Sequence, residues 1–570
     1  VVIIDGYNDE PAGLGVPPYL DVYARYIAGA VWSYDDTIKI NYYTIDEIRD
    51  NFERAVKKIN RSQLVIVIGG TLVPGKYVGG KPIKPEEILK LGKILINPLK
   101  IIGGPMVKFG IGVEGGKRAR ILKEVKDIYD VIIEGDPEIV IYDLLEEKLN
   151  VDLIDPKKKR KGYDEIREMA IKGARIVREH PNYKLNLICE IETYRGCPRS
   201  IVGGCSFCTE TLHGLPVFRP IKDIVREVEE LYRYGVKNFR LGRQPDLYSY
   251  MSKGVGEKEF PEPNPMALRK LFSGIRKAAP KIEVLHIDNV NPGTVANYPE
   301  KAREITKIIV KYHTSGDVAA FGIESADPKV IRANNLKVMP DEALKAIKII
   351  NEIGGKRGSS GLPELLPGIN FVYGLIGETK KTYELNFEFM RKILEEGLLV
   401  RRINIRQCIP LPGTRMWSVG NIIVMKHKQY FKKYKEIIRR EIDRPMLRRI
   451  IPEYMILKRV FTEKYLGNTT LARQIGSYPI LVRIPYKCEL YKFRDIMVIE
   501  HGYRSVTGIP IPIKINRLEK KVLMRIPGIG EKTAGKIKLR QPIKNTCELE
   551  NIIERKDLIE KIRNYIDFTH

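Results

Sequence analysis

Between residues 185 and 407, short apolar runs alternate with segments of helical periodicity, and this alternation constrains the fold more than any other feature of the 570-residue chain. The runs are 185–192, 237–241, 282–287, 318–323, 369–373 and 402–407. Segments 221–234, 265–279, 299–312, 341–353 and 379–394 separate them with apolar residues at helical spacing. Continuous apolar runs are what strands buried on both faces require, and six strand-helix units call for a parallel sheet with its helices outside. Curled into a whole or partial (β/α)6 barrel, such a sheet presents its functional residues at the carboxyl ends of its strands.

Directly after the first of these runs come Cys197, Cys205 and Cys208, three thiols within twelve residues. Four thiolates would close a structural zinc site or a fully ligated iron-sulfur cluster; three leave one metal corner open to a substrate or cofactor. Structural zinc, completed by His213 or Cys189, and inert packing thiols remain open as alternatives at this point. Seven cysteines without a framework spacing speak for a reducing, cytoplasmic setting.

The segment Arg195-Gly-Cys-Pro198 followed by Cys205-Ser-Phe-Cys208 resembles the cluster loop of radical S-adenosylmethionine (SAM) enzymes. The resemblance implies that Cys197, Cys205 and Cys208 hold a four-iron, four-sulfur cluster whose fourth iron SAM chelates. It places Phe207 near the adenine. Four additional residues lengthen the usual first Cys interval, and Gly203 and Gly204 supply the freedom that this loop needs. Further cofactor-binding candidates implied by the family are Gly242, Arg243 and Gln244 after the second strand and Glu324 and Ser325 after the fourth. Gly374 and Gly377, in the fifth-strand glycine segment, complete the set. Asp246, His286 and Asp288 fall at strand ends facing the presumed mouth; they are candidates for substrate contact or proton transfer, with ordinary structural roles as the alternative.

Residues 1–150 read as a separate Rossmann-like α/β unit, with strands at 1–5, 64–70, 101–105 and 130–136. The unit is similar to the cobalamin-binding-type domain that precedes many radical SAM cores. No His precedes His180, so the usual cobalt ligand is missing. Cobalamin held without a protein ligand and a retained scaffold are the two readings. Methylthiotransferases of the superfamily carry three more cysteines in this region; here the first 188 residues contain none, which disfavours sulfur insertion by that route. The basic run at 155–162 reads as a solvated linker.

Beyond the core (185–412), residues 421–515 read as a basic helical linker (426–449) and a small β unit from 475 onward, and 516–570 as a helical module. Tyr478, Tyr503 and Arg504 of the β unit could stack on bases. Pro527-Gly-Ile-Gly530 resembles the hairpin of a helix-hairpin-helix motif. Pro527, Gly528, Ile529 and Gly530 would present backbone N–H groups to a phosphate backbone, and Lys532 and Lys536 would add charge. The chain carries a net charge of +27, and residues 421–570 hold 33 basic against 16 acidic residues, an excess of +17. Such concentration in one region is the footprint of nucleic-acid affinity.

The whole arrangement resembles archaeal radical SAM proteins with a C-terminal helix-hairpin-helix. The resemblance implies a deoxyadenosyl radical directed at RNA (tRNA or rRNA), with an electron donor as a second partner. A small-molecule or protein substrate is the first alternative, and a nucleic-acid-binding protein with a structural cluster the second. No apolar run approaches membrane-spanning length and no leader is visible. The chain opens inside an apparent strand, as one with further residues upstream would.

Overall fold

A computed structural model describes residues 1–10, 13–71, 77–553 and 555–569. The N-terminal unit is a parallel sheet of β1 (Val2–Asp5), β2 (Asn41–Thr44), β3 (Leu64–Ile68), β4 (Leu99–Gly103) and β5 (Val131–Ile132), in the order β5-β4-β3-β1-β2. This is the flavodoxin-like variant of the doubly wound sheet, with its switch point between β1 and β3. Its central strands are the buried runs Val-Ile-Ile-Asp and Leu-Val-Ile-Val-Ile. The edge strand β2 alternates between buried and half-buried residues, so no apolar run marks it in the sequence.

The core strands are β6 (Ile188–Glu192), β7 (Asn238–Gly242), β8 (Val284–Ile287), β9 (Asp317–Glu324), β10 (Leu365–Tyr373) and β11 (Arg402–Gln407). All neighbours are parallel; the sheet breaks at Asp288 and resumes at Asn289–Val290, which pairs with β9. Helices Ile221–Arg233, Pro265–Ala278, Pro299–Tyr312, Pro340–Gly354 and Lys380–Glu395 connect them, and each buries one face. The expected partial barrel of six strands is therefore present. One addition comes from the N-terminal unit: Tyr19–Leu20 pairs in parallel with Ile188–Cys189 and extends the barrel edge. Residues 1–150 thus do not form a detached body.

After the helices Lys428–Ile438 and Arg444–Ile450 comes a closed antiparallel-rich barrel of five strands. Its strands are β12 (Ile456–Leu466), β13 (Thr469–Gln474), β14 (Leu481–Ile484), β15 (Phe493–His501) and β16 (Ser505–Ile511), in the order β12-β13-β14-β16-β15. β14 and β16 are parallel and β15 closes on β12. A five-stranded closed barrel of this order is the plan of the OB-fold. The barrel begins about twenty residues before position 475, where sequence patterning places it. Lys458, Arg459, Lys464 and Tyr465 are exposed along β12 and mask its alternation.

Four helices close the described chain: Lys520–Leu523, Glu531–Leu539, Thr546–Ile552 and Lys556–Ile562. They share one apolar core built from Val522, Leu523, Ile526, Ile529, Ile537 and Leu549 among others. Gly528, at φ +88°, makes the turn between the first two, and Gly530 caps the second. No described helix is long and apolar enough to cross a membrane.

Candidate active site

A cavity of about 540 Å³ occupies the interior of the partial barrel, with Cys197, Cys205 and Cys208 at one end. The cysteine loop leaves β6 through a short antiparallel pair, Tyr194–Arg195 with Val217–Phe218. Gly196 sits at φ +94°, where a Cβ would lie 2.5 Å from the Leu215 carbonyl. The residues that lengthen the Cys197 to Cys205 interval form one tight helical turn, Pro198–Val202. Gly203 (φ +77°) and Gly204 (φ +60°) end it and return the chain to Cys205. Asn335 fastens this return by donating to the carbonyls of Val202 (2.7 Å) and Gly204 (3.0 Å). Arg199, buried inside the loop, donates to Glu259 (2.8 Å), to the Asn335 carbonyl (2.9 Å) and to Cys205 Sγ (3.0 Å).

Burial pushes the Cys197 thiol up to about 12 and the Cys208 thiol higher still. Such thiols ionise only against a strong positive partner, which a metal centre is. Among the described residues no group of three or more His, Cys, Asp or Glu side chains could hold a metal ion. Thiols around a single zinc stand about 4 Å apart, given a Zn–S bond of about 2.3 Å; a cube of irons spreads its three thiols further. Neither fourth ligand for zinc comes near. Cys189 is fully buried in β6 beside Arg25 and Glu227, and His213 lines a separate small crevice with Arg195, Lys108 and Asp136. Three sulfur donors with no fourth protein donor fit an iron-sulfur cluster with one open corner.

Phe207 and Glu324 line the same cavity. Glu324 has a positive φ of 67°, a strained conformation for a non-glycine residue and one that persists where surrounding structure holds it. Its carboxyl stands 3.8 Å from Lys337 Nζ, and burial raises it to about 7 against the pull of that ammonium.

Several expected residues do other work. Gly242 carries no side chain because a Cβ there would meet Glu190 Oε1 at 1.9 Å. Arg243 turns toward the N-terminal unit and stacks over Tyr23 at 4.8 Å. Gln244 is spent on Thr193 (3.1 Å) and the Leu241 carbonyl (3.1 Å). Ser325 accepts the Asp327 N–H at the start of a short helix. Gly374 and Gly377 (φ +89° and +83°) shape the turn after β10, with Gly374 pressed on Val424. None of these six belongs to the cavity wall.

The three acid-base candidates are structural too. Asp246 reaches the wall, but its oxygens accept from Tyr248 N–H, Asn291 N–H, Ser249 Oγ and Thr294 Oγ1 at 2.5 to 3.1 Å, which leaves no free acceptor for chemistry. His286 accepts the Ser477 N–H at Nδ1 (3.0 Å) and thereby latches the C-terminal barrel to β8; burial lowers its pKa. Asp288 is held by Arg240 (2.6 Å) and the Tyr478 hydroxyl.

The sequence reading singled out Tyr478, Tyr503 and Arg504, which line the cavity, and missed Arg402, Asn404 and Arg406 of β11 and Lys337, which line it too. The signal for the β11 residues was present in Arg402-Ile-Asn-Ile-Arg406, a strict polar-apolar alternation that sets one polar face against one apolar one. Tyr19 seals the seam, its hydroxyl donating to the carbonyls of Gly476 (2.6 Å) and Ser477 (2.7 Å).

Residues 191–399, from the cysteine strand to the last connecting helix of the barrel, match the model of the Radical SAM superfamily. The chain belongs to the radical SAM superfamily. It is 48% identical over 512 residues to an uncharacterized protein of Methanocaldococcus jannaschii, covering 89% of this chain and 92% of that one. A tRNA-2-methylthio-N(6)-dimethylallyladenosine synthase of Petrotoga mobilis is 26% identical over 230 residues, 39% of this chain and 45% of the relative. Among solved structures, the radical SAM methyltransferase TsrM from Kitasatospora setae aligns at a TM-score of 0.48 and 14% identity, over 73% of this chain and 74% of that one.

The radical SAM family uses a four-iron, four-sulfur cluster and SAM, and Cys197, Cys205 and Cys208 are the residues that would hold the cluster. For cobalamin the donor set is different. The N-terminal unit gives the cavity Leu14, Val16, Pro17, Thr71 and Tyr77, apolar and hydroxyl groups with no imidazole among them. A corrin there would be retained by shape alone.

Proposed function

We propose that this radical SAM enzyme modifies a nucleotide of RNA. The observation that carries the reading is the common wall. One side of an OB-type barrel, a plan used to bind oligonucleotides, lines the same cavity as the three cysteines, through Arg473 of β13 and Tyr478, Tyr503 and Arg504 of its loops. A cavity of about 540 Å³ that must also take the cluster and SAM has no room for a duplex, so the target base must leave its stack to react.

Bound together, the reduced cluster and SAM supply a deoxyadenosyl radical that abstracts hydrogen from carbon. The protein's own contribution is positional. Glu324 and Lys337 flank the cofactor end, Tyr19 and Tyr478 close the seam against water, and the arginines of β11 face the substrate end. An electron donor must deliver one electron to the cluster for each turnover that consumes SAM.

The helix-hairpin-helix resemblance supports the same reading. Gly528 and Gly530 shape the turn, Lys532 and Lys536 are exposed beside it, and the C-terminal quarter carries an excess charge of +17. The synthase from Petrotoga mobilis acts on tRNA by its name and shares the core only. Comparing modified nucleosides from cells with and without the protein tests the proposal. A nucleoside that disappears on deletion and returns with the wild-type gene, but not with Cys205→Ser, is the expected result. An unchanged profile favours a small-molecule or protein substrate.

A further inference from the structure

β11 carries arginine at two of its three inward positions. Arg402, Asn404 and Arg406 share one face because side chains alternate along a strand, and all three line the cavity. From Arg402 to Arg406 the backbone advances about 13 Å. Arg504, from the turn between β15 and β16, enters between them, its Nη2 lying 3.4 Å from Asn404 Oδ1.

These three guanidinium groups form no ion pair among the described residues; the carboxylates that face them, Asp288, Asp443 and Glu324 (3.8 Å from Lys337), are paired more closely with other cations. Asp288 is held by Arg240 and Tyr478, Asp443 by Arg439, and Glu463 by Arg473. Arg402 Nε is buried without a hydrogen-bond partner, while its guanidinium rests over the Tyr478 ring at 4.0 Å. Burial, and repulsion from Arg406 and Arg504, push Arg402 down to about 10. Arg402 is part-buried while Arg406 and Arg504 stand exposed at the cavity's edge, so like charges converge there in reach of a ligand that brings anions.

One carboxylate or one phosphate is too short to answer a row of this length. The ligand needs several anions spaced along it, and an RNA strand has that chemistry. We propose that Arg402, Arg504 and Arg406 form a track for successive phosphates of the substrate strand, with half-exposed Tyr503 beside it as a stacking face. The proposal rests on the RNA reading and names the groups that would hold the strand.

The test is the salt dependence of binding of a labelled ten-nucleotide oligoribonucleotide to the full-length protein. Each phosphate contact to a single strand contributes about 0.7 to the slope of log K against log salt, so the Arg402→Gln/Arg406→Gln/Arg504→Gln variant should lose about 2. The corresponding triple Lys variant should keep the slope. In the absence of RNA the Gln variant should melt at a higher temperature than wild type, since it removes mutual repulsion; a purely structural role predicts a lower one. An unchanged slope in the Gln variant overturns the track while leaving RNA binding intact. So does a slope lost equally in the Lys variant, which would mean damage to the fold. If wild type ignores the oligoribonucleotide but binds inorganic tripolyphosphate through these arginines, the track stands and the RNA reading fails.

Discussion

Glu227→Gln should loosen the docking of the N-terminal unit on the radical SAM core. Glu227, on the helix Ile221–Arg233, faces Arg25 of the N-terminal helix Val22–Tyr34 with one carboxylate oxygen and Arg219 with the other. All three side chains are fully buried, at 0 to 1% exposure. The amide is nearly the same shape as the carboxylate, so the substitution creates no cavity; it removes the charge and turns one of the two acceptor oxygens into a donor facing a guanidinium. Each guanidinium-carboxylate pair at about 4 Å is worth about 4 kcal/mol at an effective dielectric constant of about 20. Desolvation offsets much of that in the intact network. Removing the carboxylate recovers none of the offset, since two guanidinium groups stay buried, and losses of about 3–5 kcal/mol are usual for such a break. Trp32, buried on the same helix as Arg25, makes a local reporter for urea unfolding followed by fluorescence, in a Trp417→Phe background. Replacing all three residues by apolar ones of similar size (Arg25→Met, Arg219→Met, Glu227→Leu) should recover much of the loss. The reasoning fails if Glu227→Gln costs under about 1 kcal/mol, or if the apolar triple variant is as unstable as the single one.

Three further outcomes are expected. Serine at Cys197, Cys205 or Cys208 should each abolish retention of the cluster, measured as iron per chain after anaerobic reconstitution, whereas Cys547→Ser, at an exposed site, should not. Glu324→Gln should weaken SAM binding to the cluster-loaded protein about tenfold in anaerobic calorimetry, the scale of one charge-assisted hydrogen bond. Stability should fall as pH rises above about 6.5, and His313→Gln should flatten that part of the profile in urea titrations at several pH values. Burial works against the His313 charge, but Asp317 at 3.0 Å and Glu364 at 3.3 Å outweigh it and raise its pKa above 6.5. A raised folded-state value stabilises fully below the unfolded pKa and loses that contribution as pH climbs through the folded one.

Much of the fold was legible because its signals are local. β11 spans the residues that its apolar alternation marks, and the helix Pro299–Tyr312 spans those of its periodicity. Signals failed where a strand is half polar. β2 reads Asn-Tyr-Tyr-Thr, and β12 presents charged residues to solvent along its length, so neither stands out from a loop or a basic helix.

The cofactor end of the site was legible for a different reason. Three thiols within twelve residues announce a shared metal centre before any contact is known, because the ligands lie close in the chain as well as in space. Asp246, His286 and Asp288 look like reactive groups in a list of polar residues at strand ends. What they do depends on partners 45 to 191 positions away: Asn291 and Thr294 for Asp246, Ser477 for His286, Tyr478 for Asp288.

By itself, then, the amino-acid order determined the strand-helix repeat, the three-thiol loop and the basic C-terminal quarter, all of which are properties of neighbours along the chain. Only the tertiary structure decided that Tyr19 extends the barrel edge, that the C-terminal barrel walls the cavity, and that Arg402, Arg406 and Arg504 converge there without an ion pair among the described residues. Those outcomes depend on which distant side chains compete for the same carboxylates and hydrogen bonds, and that competition exists only once the chain has folded.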